Sequence, residues 1–129
     1  MKHQSSFSIK SWAEDDLIKL NEQLKLKNGR VERDHHGYIS GNEIMHYHFA
    51  YTNHDRSEFN GIGIFEGSIG KRHGTFTFIE HGSYLNGGVI VEFEVREMSE
   101  NSDIGIVLGK GKYETSSHNN IPYDFEENL

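Results

Sequence analysis

The chain has no cysteine. Disulfide bonds, thiolate metal sites and a cysteine nucleophile are therefore excluded, and the composition fits a reducing compartment. A single proline stands among 129 residues, so extended segments can run without losing ladder donors. No apolar run approaches the roughly 20 residues that cross a bilayer. The opening MKHQSSFSIKSW lacks an apolar signal core. The expected location is the cytoplasm, with no membrane insertion. Positive charge is scarce, since 13 Lys and Arg against 20 Asp and Glu leave −7 with histidine neutral. A negative field of that kind repels phosphate backbones, so nucleic acid is not an expected partner. Also missing are a G-x-S-x-G elbow, an H-E-x-x-H pair and a glycine loop leading into a helix. No cofactor is expected.

What the chain does have is alternation and glycine. Its length suits one domain spanning residues 1–129. From residue 25 onward apolar and polar side chains alternate with period two, the mark of half-buried strands. The pattern predicts strands over Phe7–Trp12, Leu24–Ile39, Glu43–Tyr51, Phe59–Ile69, Thr75–His81, Val89–Val95, Ile104–Tyr113 and Pro122–Phe125. Ala13–Leu20 reads as a helical turn or an irregular crossing, and Asn28-Gly29 as a bulge or kink. Turns fall at Ser40-Gly41-Asn42, Asn53-His-Asp55, Gly70–Gly74 and Asn86-Gly87-Gly88. Loops cover Met98–Asp103 and Ser116–Asn120. Several of the 14 glycines, among them Gly61, Gly63, Gly105, Gly109 and Gly111, sit inside strands. Glycine there weakens a strand unless the sheet bends sharply or backbones approach closely. That favours an all-β closed antiparallel barrel of about eight strands over a sandwich.

The stretch FNGIGIFEGSIGKRHGTFTFIEHG (Phe59 to Gly82) stands between Leu26–Tyr51 and GKGKYE (Gly109 to Glu114). With FSIKSW (Phe7 to Trp12) and YDFE (Tyr123 to Glu126) at the two ends, it resembles the bacterial family designated domain of unknown function 3224. The resemblance implies an allene oxide cyclase-like, calycin-type barrel. Relatives with that fold hold apolar molecules in the lumen, and many form dimers or trimers. Two positions depart from the family pattern. An acidic residue usually stands where this chain has Gly63, and a histidine where it has Glu80.

Register decides which side chains enter the lumen, because a slip of one residue reverses them all. The odd positions Gly29, Val31, Arg33, His35, Gly37 and Ile39 are assigned inward, together with Met45, Tyr47, Phe49 and Tyr51. A three-residue or bulged turn near Ser40-Gly41 pairs these two sets. Phe59, Phe65, Phe76, Phe78, Val91, Phe93, Val107, Tyr113 and Phe125 complete an apolar lining. Arg33 is the conspicuous exception. A buried guanidinium needs a partner, and Glu80 is its natural one, replacing across the barrel the acid lost at Gly63. The pair is either a structural ion pair or the polar end of a pocket. His46-x-His48 places two imidazoles on one face, with Asp34 or Glu32 as a third ligand, but that face is expected to point outward, so no metal site is expected.

Three functions follow. The first is a binding barrel holding a small hydrophobic or aromatic acid, with candidate ligand contacts at Arg33, His35, Tyr47, Phe49, Tyr51, Phe65, Phe78, Glu80, Phe93 and Tyr113. The second is a lumen isomerase or cyclase using Arg33 and Glu80, with its catalytic set unknown. The third is a filled scaffold that self-associates, as a dimer or trimer, through outward Ile62, Ile64, Ile90 and the histidine face. Phenylalanines favour a full lumen and inward glycines a hollow one.

Overall fold

The computed structural model describes residues 2–99 and 105–128. These form eight strands and no helix. The strands are β1 (Lys2–Lys19), β2 (Lys25–Gly37), β3 (Ile39–Asn53), β4 (Arg56–Ile69), β5 (Arg72–Leu85), β6 (Gly88–Glu97), β7 (Val107–Thr115) and β8 (Ile121–Glu127). They pair antiparallel in chain order, and β1 pairs with β8 to close a barrel. Alternation sets the two faces: Met45, Tyr47 and Phe49 are buried, while His46, His48 and Ala50 between them are exposed.

Glycines let this cylinder be narrow. Tyr47 lies against Gly61, where an added Cβ would come within 2.5 Å of Tyr47 Cδ1. Phe59 covers Gly82 at the same distance. Gly61 and Gly82 thus each give their space to an aromatic ring from a neighbouring strand. The β5–β6 turn uses Asn86 (φ 50°) and Gly87 (φ 90°), a two-residue hairpin in which both residues take positive φ.

Several sequence expectations are corrected. Ala13–Leu20 is no helical turn: β1 continues through it to Lys19, absorbing register shifts at Ile9/Ser11 and Asp16/Ile18. The acidic run Glu14-Asp15-Asp16 disguised a strand whose inward and outward sets exchange parity at those bulges. Gly29 is not a bulge, and it pairs in unbroken register with Tyr47. The second turn lies at Gly37-Tyr38 instead of Ser40-Gly41-Asn42, which belong to β3. Gly37 (φ 117°) is therefore exposed and Ile39 opens β3. The parity argument holds even so, because β2 and β3 pair odd with odd, Arg33 with Glu43 and Val31 with Met45. Val107 is only half-buried, since a register shift between Val95 and Arg96 lets Leu108 pack on the core instead. The strand start expected at Ile104, and part of the Met98–Asp103 loop, lie outside the described residues.

The barrel is unequal along its axis. β8 covers β1 only from Lys2 to Phe7, and β7 meets β8 only over Gly109–Lys112. In contrast, β2 and β3 stay paired out to Lys25 and Tyr51. One end is ringed completely and packed with Ile39, Phe65, Ile69, Phe76, Phe78 and Phe125, all at most 2% exposed. Each such side chain contributes roughly 1.5–3 kcal/mol by leaving water. At the other end the wall between β1 and the 116–120 loop is held by Ile9 N–H to His118 C=O at 2.9 Å and Asn120 N–H to Ser8 Oγ at 2.9 Å.

Candidate functional site

A belt of polar side chains crosses the lumen where the packed end stops. Strand β2 supplies Arg33 and His35, β3 Glu43 and Tyr47, β5 Glu80, β7 Tyr113 and β8 Tyr123. Arg33 is 2% exposed. Its Nε donates to Glu43 Oε1 at 2.6 Å and its Nη2 to Glu80 Oε2 at 2.7 Å. Its Nη1 makes longer bonds to Tyr113 Oη (3.2 Å) and Tyr47 Oη (3.4 Å). Both phenols donate onward to Glu80 Oε1, at 2.7 Å from Tyr47 and 3.0 Å from Tyr113. Glu80 thus accepts from three donors, the role of an ionised carboxylate. The Phe7 ring lies 4.4 Å from the guanidinium carbon, adding a cation–π contact.

His35 extends the belt. Its Nε2 is 2.7 Å from Glu43 Oε1 and its Nδ1 is 2.7 Å from Tyr123 Oη. The carboxylate only accepts, so Nε2 carries hydrogen and Nδ1 accepts from the Tyr123 hydroxyl. Burial pushes the His35 pKa below its ordinary value, outweighing the pull of Glu43, so the ring is neutral near pH 7. Burial also opposes the Arg33 charge, but Glu43 and Glu80 outweigh it and hold the guanidinium well above its usual range. Burial alone would raise the Glu43 carboxyl, yet Arg33 and His35 keep it below the ordinary carboxylate value. Tyr47 and Tyr113 are pushed well upward, first by burial and then with help from Glu80. The phenols keep their protons.

Above the belt lies a cavity of about 370 Å³, open at the incompletely ringed end. Its floor carries Arg33, Tyr47 and Tyr113, and its walls include Phe7, Val31, Phe49, Phe59, Val89 and Ile121. The mouth holds Trp12, Glu14, Tyr51, Tyr84 and His118. Trp12 Nε1 donates to Glu14 Oε2 at 2.7 Å, and the indole stacks 6.2 Å from His118. Tyr51 donates to Glu14 Oε1 at 3.3 Å, and its hydroxyl is pushed up to about 12 by burial and then by Glu14.

The structure therefore sorts the ten sequence candidates into three groups. Arg33, Tyr47, Phe49, Tyr51 and Tyr113 line the cavity. His35 and Glu80 lie in the belt behind the floor, while Phe65, Phe78 and Phe93 pack among aromatics of the filled half. The expected Arg33–Glu80 pair forms, but with a second carboxylate, Glu43, that sequence reasoning missed. The signal was available. Glu43 shares parity with Met45 and Tyr47, and it is the direct cross-strand partner of Arg33. Gly63 holds no acid but faces Met45, whose Sδ would block any Cβ there.

His46 and His48 point outward. Their cross-strand partners are Arg30 and Ile62, and Asn28 and Asn60, so neither Glu32 nor Asp34 stands beside them. Among the described residues no three metal-ligating side chains gather. Ile62, Ile64 and Ile90 are exposed on the outer face. No helix among the described residues is long and apolar enough to cross a membrane.

Comparison with known proteins agrees with this architecture. A crystal structure of a protein of unknown function from the DUF3224 family of Shewanella oneidensis MR-1 superposes with a TM-score of 0.66. It is 13% identical in sequence, and the match covers 100% of this chain and 97% of that one. No curated protein matches the chain. The model of the family described as protein of unknown function, DUF3224, matches residues 3–126. With its closed barrel and the sequence match over nearly its whole length, the chain belongs to the DUF3224 family.

Proposed function

We propose that this barrel is a binding protein for a small, mainly apolar molecule held in the open half of its lumen. The observation that carries the reading is the cavity of about 370 Å³ with aromatic and aliphatic walls and a polar floor. That combination, an apolar enclosure with a few convergent polar groups, is what small-molecule sites use. The isomerase reading has less support. Proton abstraction needs a base within reach of the ligand, and Glu80 is fully buried behind Arg33 with both oxygens engaged. The floor phenols hold their protons, so the floor works as a fixed hydrogen-bonding platform.

A neutral, environment-sensitive naphthyl ketone dye tests the reading. Wild-type protein should blue-shift its emission in a saturable way, and Val89→Trp, which fills the cavity from its wall, should abolish the shift while keeping the fold. A dye that stays in water with the wild type, or that binds Val89→Trp equally well, would overturn the proposal.

A further inference from the structure

We infer that the lumen selects ligands with an uncharged hydrogen-bonding head, a hydroxyl or a carbonyl, and rejects carboxylates, and that Glu43 sets this preference. The inference rests on the lumen-binding reading and names the ligand class. An arginine at the floor of an apolar pocket ordinarily attracts an acid. Here that role is already taken twice. Nε and Nη2 of Arg33 are committed to Glu43 and Glu80, so one guanidinium already answers two carboxylates while His35 beside them is neutral.

A second observation points the same way. Glu43 Oε1 accepts from Arg33 Nε and His35 Nε2 and makes an ion-pair contact with Arg33 Nη2, whereas the buried Oε2 has no hydrogen-bond partner among the described residues. The belt therefore holds negative charge that its own donors do not fully neutralise. A ligand carboxylate on the floor would add a third anion beside two buried carboxylates that a single guanidinium already answers. What the floor still offers is weaker and neutral in kind. Nη1 of Arg33 directs its N–H groups along only the long 3.2 and 3.4 Å bonds, and so can share them with a ligand carbonyl or hydroxyl oxygen. The phenol oxygens of Tyr47 and Tyr113 retain acceptor capacity for a ligand O–H. An aryl alcohol or aryl ketone satisfies both without bringing charge.

Three probes with one ring system test this: 2-naphthol, 2-acetylnaphthalene and 2-naphthoate, each competed against the dye at neutral pH. Wild type should bind the two neutral probes at least about tenfold tighter than naphthoate, since a further anion beside buried carboxylates is disfavoured. In Glu43→Gln, which removes one charge at nearly constant shape, the ratio should move toward naphthoate by about tenfold or more. Naphthoate binding wild type as well as naphthol would overturn the inference and leave lumen binding standing. A ratio unchanged in folded Glu43→Gln would also overturn it, by assigning the preference to the apolar walls alone. Binding of none of the three, with the dye also silent, would instead sink the lumen reading itself. Should Glu43→Gln fail to fold, the wild-type ratio still decides the ligand class.

Discussion

Replacing Arg33 with methionine keeps an unbranched apolar stem and removes the guanidinium with its charge, leaving Glu43, Glu80 and two phenols without their cation. Removing one partner of a buried ion pair costs about 3–5 kcal/mol, because the survivor remains desolvated. Domains of this size have roughly 5–15 kcal/mol in total. The variant should therefore fold with a reduced margin and melt roughly 10–20 °C lower. The sign of its pH dependence is the sharper test. In wild type the Glu43 carboxyl lies below its unfolded value despite burial, because Arg33 and His35 favour the charged form. That contribution is present above the unfolded pKa and is lost as pH falls through the folded one. Without Arg33, burial drives the Glu43 carboxyl upward, so its contribution is present below the unfolded pKa and is lost as pH rises. The wild-type advantage should widen from about pH 4.5 to about pH 7.5. Urea unfolding followed by Trp12, the single tryptophan, measures it. A loss under about 1 kcal/mol, or a difference constant with pH, would refute the claim that Arg33 neutralises buried carboxylates.

His35 has a depressed pKa from burial, so its contribution to stability is complete above the unfolded value of about 6.5 and fades as pH falls below it. His35→Gln, whose amide can still donate to Glu43, should flatten that part of the stability–pH curve; an unchanged slope between about pH 5 and 6.5 would refute the assignment. On the outer face, Ile64 is 48% exposed and pairs with Ile44, itself 41% exposed. Light scattering should show self-association of wild type that Ile64→Lys weakens, and a wild type monomeric at high concentration would remove that expectation.

How much of this was legible in the residues depends on which physical rule governed each segment. Where alternation was strict and turns were made by Asn-Gly or Gly, as in β4 through β6, strand, face and lining followed from the sequence. Where parity changed inside a strand, it did not. The bulges in β1 at Ile9/Ser11 and Asp16/Ile18 destroy period two locally, and Trp12 and Glu14 at the cavity mouth were lost with it. Glu43 was overlooked for another reason. A lone acid on the first residue of a predicted strand draws no attention until the turn is moved to Tyr38, which puts Glu43 five residues into β3 and opposite Arg33. The division into a filled and an open half was illegible too, because it depends on where β7 and β8 stop pairing.

That last point explains why the polar belt lies where it does. β7 and β8 have 9 and 7 residues, against 13 to 18 in β1 through β5. The short strands ring only part of the cylinder, and beyond them no aromatic layer closes the lumen from their side. Side chains at this boundary meet packed hydrocarbon below and a partly wet cavity above. Charged groups placed wholly in the packed half would suffer the full desolvation cost, while groups at the mouth would be screened and contribute little. At the boundary, Arg33 can lay its guanidinium over Phe7, hold two carboxylates behind it and still present Nη1 to the cavity. Incomplete closure and the arginine floor are thus one design: the short strands create the space, and the compensated guanidinium ends it.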